Sequence, residues 1–240
     1  MNSSFSPHPS AFLFDYPKNA AFGRVLPKSK IYEHGSVSSA VRQLFVRQVE
    51  QIVWQHKLAP ETVNLKASTA VPEIQVFSIA LKGGELKTEV LRCIDQAISF
   101  PILFELRYDE KIMSIAAYKR PSESDSGKWV ISEYFESGWV SSNTPRKPLP
   151  MVFDLGALYA HLLTPLMPHP ARSGENLQAR VERMELIRSR KREMEKCEVR
   201  LRKEKQFNRK VAINAELRDL KQELENLTRP LSVSGAAVAP

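Results

Sequence analysis

The chain has little of what most catalytic chemistry needs. Among its 240 residues are two cysteines, Cys93 and Cys197, in separate segments that read as helices, with no Cys-x-x-Cys or Cys/His spacing to hold zinc. The nine glycines form neither G-x-x-x-x-G-K-[ST] nor G-x-G-x-x-G, and Gly83-Gly84 reads as a turn, so a phosphate-cradling loop is excluded. Histidines 8, 34, 56, 161 and 169 share no ligand spacing, and no Ser or Cys sits in a nucleophile elbow. No metal and no cofactor is therefore expected. A run of roughly 18 apolar residues, enough to cross a bilayer, is also missing. The start, MNSSFSPHPSAFLFDYP, lacks the basic and apolar regions of a secretory signal. These absences predict a cytoplasmic protein with reduced thiols and no membrane partner.

What is present is a core and a surplus of positive charge. With 42% hydrophobic residues the length suits one ordinary domain and an appendage. The formal charge of +8 favours polyanions as partners. Residues 1–10 are Ser, Pro and Asn rich and are expected to be disordered, as are 229–240. Pro9, Pro17 and Pro27 predict an extended arm through FGRVLPKSKIY. Val41, Leu44, Phe45, Val49, Ile52 and Val53 then recur at helical steps, predicting a helix from Ser38 to Trp54 with Ser38 or Ser39 as N-cap. Strand signatures follow in VNLKAST and EIQVFSIALK, a helix in ELKTEVLRCIDQAI, a hairpin in ILFELRY and KIMSIAAYKR about Asp109 and Glu110, and another strand in KWVISEYFESGWV. The expected fold is α/β (α+β): a mostly antiparallel sheet packed with helices over 11–140, then a linker and docking helix over 141–170.

Residues 173–228 lack proline and, after Gly174, glycine, which predicts a long helix or helical hairpin of coiled-coil type. Leu177, Met184, Lys191, Met194 and Leu201 make a weak seam, while Ile213, Leu217, Leu220, Leu224 and Leu227 keep a regular alternation of four and three. The register changes around Phe207 to Val211, where a stutter or a bend is expected. Phe207, Leu217, Leu220, Leu224 and Leu227 are the candidate partner-binding residues, with a homodimer through the tail as one outcome. The run from Arg188 to Lys210 holds eleven basic residues against four acids. Arg188, Arg190, Lys191, Arg192, Arg200, Arg202, Lys203, Arg209 and Lys210, with Lys28 in the arm, are the candidate phosphate contacts. The ordinary alternative is a solvated face laced by Glu–Arg pairs.

Glu73, Glu105 and Lys119 invite comparison with a metal-dependent nuclease, since acids on adjacent strands and a strand lysine can hold Mg²⁺ and activate water. The order is wrong, however: no lysine stands two residues after Glu73, and Glu105 is followed by Leu106 and Arg107. The competing reading pairs Glu105 with Arg107 or Lys119 across a hairpin.

Taken together, LPKSKIY, VWQHKLAPETVNL, VPEIQVFSIALK, VLRCIDQAISFPILFEL, AAYKRPSE, KWVISEYFES and EKQFNRKVAINAEL resemble the bacterial and archaeal family known as domain of unknown function 4391, over nearly all of residues 12–227. Its motifs fall on Lys28, Trp54, Lys57, Glu73, Asp95, Glu105, Lys119, Phe207, Asn208 and Arg209. The resemblance implies a neighbourhood of type III-like DNA methyltransferases and helicases in restriction-like or anti-phage clusters, but no catalytic residue. The expected role is an accessory, non-enzymatic subunit binding a helicase or methyltransferase and DNA.

Overall fold

A computed structural model describes residues 12–34, 37–125 and 128–229. The termini expected to be disordered lie outside the described residues, apart from Arg229. The chain divides into two compact units, Met1–Pro168 and His169–Pro240.

In chain order the first unit contains β1 (Phe14–Asp15), β2 (Ala21–Val25), α1 (Lys28–His34), α2 (Ser39–Gln48), β3 (Val49–Leu58), α3 (Pro60–Val63), β4 (Ile74–Leu81), α4 (Thr88–Ala97), β5 (Ile102–Tyr108), β6 (Lys111–Pro121), β7 (Trp129–Glu136), β8 (Val140–Ser141), β9 (Lys147–Pro148) and α5 (Leu155–Leu163). Strands β2 to β7 lie side by side in sequence order, with β8 extending the pairing of β6. Every neighbour in this sheet is antiparallel except β4 and β5, which α4 joins as a crossover. The expected class, a mostly antiparallel sheet packed with helices, is what the chain adopts.

The two faces of the sheet differ. Register sets Phe77 beside Phe104 and Phe104 opposite Ile115, so these side chains share a face. They join Ile31, Phe45, Val90, Leu91 and Ile94 from α1, α2 and α4 in one buried cluster. Burial of each such side chain contributes about 1.5–3 kcal/mol. The opposite face carries Ser78, Glu105 and Ser114, one register step away. Here Phe12 accepts a hydrogen bond from Ser114 through its carbonyl, and the Tyr159 hydroxyl of α5 donates to Ala117 O and accepts from Lys119 N.

Three expectations need correction. Ser38 does cap α2, its Oγ accepting from Val41 N at 3.3 Å, but the helix ends at Gln48 and Val49–Leu58 is a strand. A bulge between Val49 and Gln51 inserts one residue, so Val49 and Ile52 are buried three apart and imitate helical spacing. The arm LPKSKIY is not extended: from Lys28 it is α1, Pro27 standing just before its first turn, where its missing N–H costs nothing. VNLKAST forms no strand beyond one bridge, Lys66 to Asp154.

The second unit contains α6 (Leu177–Lys203) and α7 (Phe207–Thr228). Asn176 caps α6, its Oδ1 accepting from Ala179 N at 2.8 Å. Only Glu204–Gln206 separates the helices, and the Glu204 carboxylate closes that turn by accepting from Lys205 N and Gln206 N. Arg183 donates to Leu227 O, Arg190 pairs with Glu223 and Arg200 with Glu216; partners that descend along α7 as α6 ascends define an antiparallel hairpin.

Candidate functional site

The nuclease alternative fails on geometry, because Glu73, Glu105 and Lys119 belong to three separate networks. Lys119 and Glu105 leave the sheet from opposite faces: Glu105 is level with Ser114 on β6, and Lys119 lies an odd number of residues farther along that strand. Among the described residues, no group of three His, Cys, Asp or Glu is placed to hold a metal ion.

Lys119 is 1% exposed. Its ammonium donates to the carbonyls of Asp95 and Ile98 at the end of α4 and lies 3.7 Å from the Asp95 carboxylate. A cation at the negative end of a helix satisfies carbonyls that the helix leaves open. Tyr134 donates its hydroxyl to the same carboxylate. Burial pushes the Asp95 carboxyl up to about 6 against the pull of Lys119 and Tyr134, and burial draws the Lys119 ammonium down.

Glu105, 2% exposed, accepts two parallel bonds from Arg146 at 2.7 and 2.8 Å. Arg146 also donates to Phe14 O at 2.8 Å, so one guanidinium ties the sheet to β1. Arg107 stands 3.4 Å from Glu105 and donates to Ser78 Oγ. The expected pairing of Glu105 with Arg107 is therefore a minor contact, and the pairing with Lys119 does not occur. Close by, the rings of Tyr16 and His56 are 4.6 Å apart. Burial lowers the His56 pKa and raises that of Tyr16 well above the usual phenol value, so both are neutral near pH 7.

Glu73 accepts from Gln75 at 2.7 Å and lies 3.4 Å from Lys57. Trp54 belongs to β3, where its indole N–H donates to His56 O. A cleft of about 540 Å³ runs along Trp54, Phe77 and Phe100, with Arg24, Lys30, Gln75 and Ser99 as its polar lining; none of the three nuclease candidates borders it. Lys28, expected among the phosphate contacts, turns inward and donates to Phe45 O and Val49 O at 3.2 and 2.6 Å. It thus braces the junction of α2 and β3. Arg146 was invisible in the sequence because its segment, SSNTPRKPLP, has the composition of a linker; the one available signal was a buried glutamate in need of a cation.

The hairpin sorts the basic run. Arg190 is held by Glu193 and Glu223 at 2.7 and 2.8 Å, and Arg200 by Glu216 at 2.6 Å; Arg188 is half-buried. Lys191, Arg192, Arg202, Lys203, Lys205 and Lys210 are exposed, and Arg209 meets Glu204 only at 4.0 Å. Residues 199–212, the tip, carry Arg200, Arg202, Lys203, Lys205, Arg209 and Lys210 against Glu204, an excess of five positive charges out of the chain's +8. The seam leucines are used internally: Leu217 and Leu220 pack on Cys197, Met194, Leu201 and Ile213, Leu224 is buried and Leu227 half-buried. Phe207 does the opposite of what its place at a packing junction suggested. It is 77% exposed, because it opens α7 a full turn before Ile213 begins the contact with α6.

A family model described as Domain of unknown function (DUF4391) matches residues 14–224. No curated protein and no solved structure matches the chain.

Proposed function

The chain belongs to the family described as domain of unknown function 4391, and on that premise we propose that it is a non-enzymatic accessory subunit whose hairpin tip holds DNA through its phosphates. The observation that carries this reading is the excess of five positive charges on residues 199–212, in side chains that are mostly exposed and free of strong ion pairs. Lys203, Lys205, Arg209 and Lys210 are the central contacts, with Lys191, Arg192 and Arg202 extending them along α6. Cations so placed release counterions when they neutralise phosphates, which makes binding independent of sequence and dependent on salt.

The larger setting in this proposal is cytoplasmic, beside a helicase or DNA methyltransferase of a restriction-like or anti-phage system, and it rests on the neighbourhood that the family resemblance implies. No helix among the described residues is long and apolar enough to cross a membrane. Purification of the tagged chain with its neighbours, followed by mass spectrometry, tests this setting. A homodimer through the leucine seam would require the hairpin to open, since that seam is filled from within.

Fluorescence anisotropy of the full chain with a labelled duplex tests the DNA contact. Neutralising about six phosphates weakens binding roughly 10³-fold between about 50 and 200 mM salt. Changing Lys203, Lys205, Arg209 and Lys210 together to Gln removes most of the affinity and flattens the slope. A flat response in the unaltered chain, or unchanged binding by the variant, overturns the proposal.

A further inference from the structure

We infer that Phe207 contacts a DNA base and that the hairpin tip prefers DNA whose bases are unstacked, single strands and frayed ends, over a closed duplex. This rests on the phosphate-binding reading and specifies its substrate.

The argument begins with exposure. A phenyl ring that is 77% exposed does no packing work in its own fold, and Phe207 is joined on the tip by Val211 and Val199, 53% and 40% exposed. Charge then selects what covers this patch. Arg202, Lys203, Lys205, Arg209 and Lys210 surround it in sequence, with Glu204 as the single acid between them, and Glu204 is engaged by Lys205 N and Gln206 N. An apolar protein surface would have to bury beside five cations, whereas a nucleotide offers a phosphate and an aromatic face within one residue of each other. Arg209 and Lys210 follow Phe207 within the first turn of α7, so ring and cations lie within reach of one or two nucleotides. A closed duplex keeps base faces stacked and offers the ring nothing; an unstacked base offers a partner worth roughly ten- to a hundredfold in affinity. Cations and an aromatic platform together are how sequence-tolerant single-strand binders work.

The experiment uses the full chain, an oligothymidine and a duplex closed at each end by a non-nucleotide linker, with Phe207→Ala, Phe207→Tyr and a Lys205→Gln/Arg209→Gln/Lys210→Gln variant. Circular dichroism verifies that the helices persist. The expected result is tighter binding of the single strand by the unaltered chain. Phe207→Ala lowers that affinity at least about tenfold and leaves the closed duplex and the salt slope unchanged, and Phe207→Tyr restores it. Equal losses on both DNAs, no loss on the single strand, or unchanged DNA binding with release of a co-purifying protein overturns the inference. The charge variant separates the two readings: if it binds both DNAs as the unaltered chain does, the phosphate proposal itself fails, whatever Phe207→Ala does.

Discussion

At the scale of single residues, Asp95 and Lys119 show how this fold uses buried charge. The ammonium serves two helix-end carbonyls as well as the carboxylate, so removing either member strands polar groups in the core. The carboxyl is pushed up to about 6 in the folded chain, against about 3.9 when unfolded. Between those values the folded chain keeps a proton that the unfolded chain releases, so this contribution to stability is present below about pH 4 and is lost as pH rises through about 6. Urea unfolding of the unaltered chain and Asp95→Asn at several pH values checks it. The stability difference, unaltered chain minus variant, falls by on the order of 2 kcal/mol from pH 4 to 7; a constant or rising difference contradicts the assignment. Lys119 was partly legible in the sequence, since alternation along IAAYK puts it on the face of Ile115 and Ala117. Its partner was not, because Asp95 lies on a helix 24 residues away and nothing local connects them.

At the scale of elements, one misread segment has a plain cause. Strand alternation becomes a step of three wherever a bulge intervenes, and β3 carries one at its start, so apolar spacing alone assigned Val49–Trp54 to the wrong element. The tail was read better: its leucine spacing is simple, its lack of proline permits helices, and the change of register fell where the chain turns. What spacing left open was whether the leucines face another chain or α6. Cys197 reports on this, being fully buried with its Sγ 3.6 Å from Ile213 O. Leu220→Asp places a charge in the seam and speeds modification of Cys197 by a thiol reagent at least about tenfold, as expected for an opening penalty cut by 1.4 kcal/mol or more. Cys93, in the other unit, keeps its rate. Equal acceleration of both thiols would show that the hairpin does not open by itself.

At the scale of the whole molecule, charge and fold are divided between the two units. Most of the excess charge sits on the hairpin tip, and in the sheet unit three basic residues are spent internally: Lys28 and Lys119 on helix ends, Arg146 on Glu105. Net charge, a global quantity, was readable at once, but which cations are free needed coordinates. Arg146 has the widest reach, holding β5 and β1 while its own segment supplies β9 beside β1. Arg146→Ala leaves Glu105 buried beside only the more distant Arg107, and chemical denaturation is expected to show a loss of about 3–5 kcal/mol. Arg146→Lys, which cannot form the paired bonds, recovers only part of it. Loss below about 1 kcal/mol would mean that Arg107 suffices.

The same latch has a meaning in time. Arg146 follows Glu105 by 41 residues, an interval of roughly 2–8 s at ordinary translation rates. Throughout that interval the nascent sheet has its glutamate without the clamp that lets it be buried, and β1, made first among the described strands, has no β9 to pair with. The amino-terminal strand is therefore the last to be fastened, and a ribosome halted before residue 146 would display a chain whose sheet unit is still open on that face.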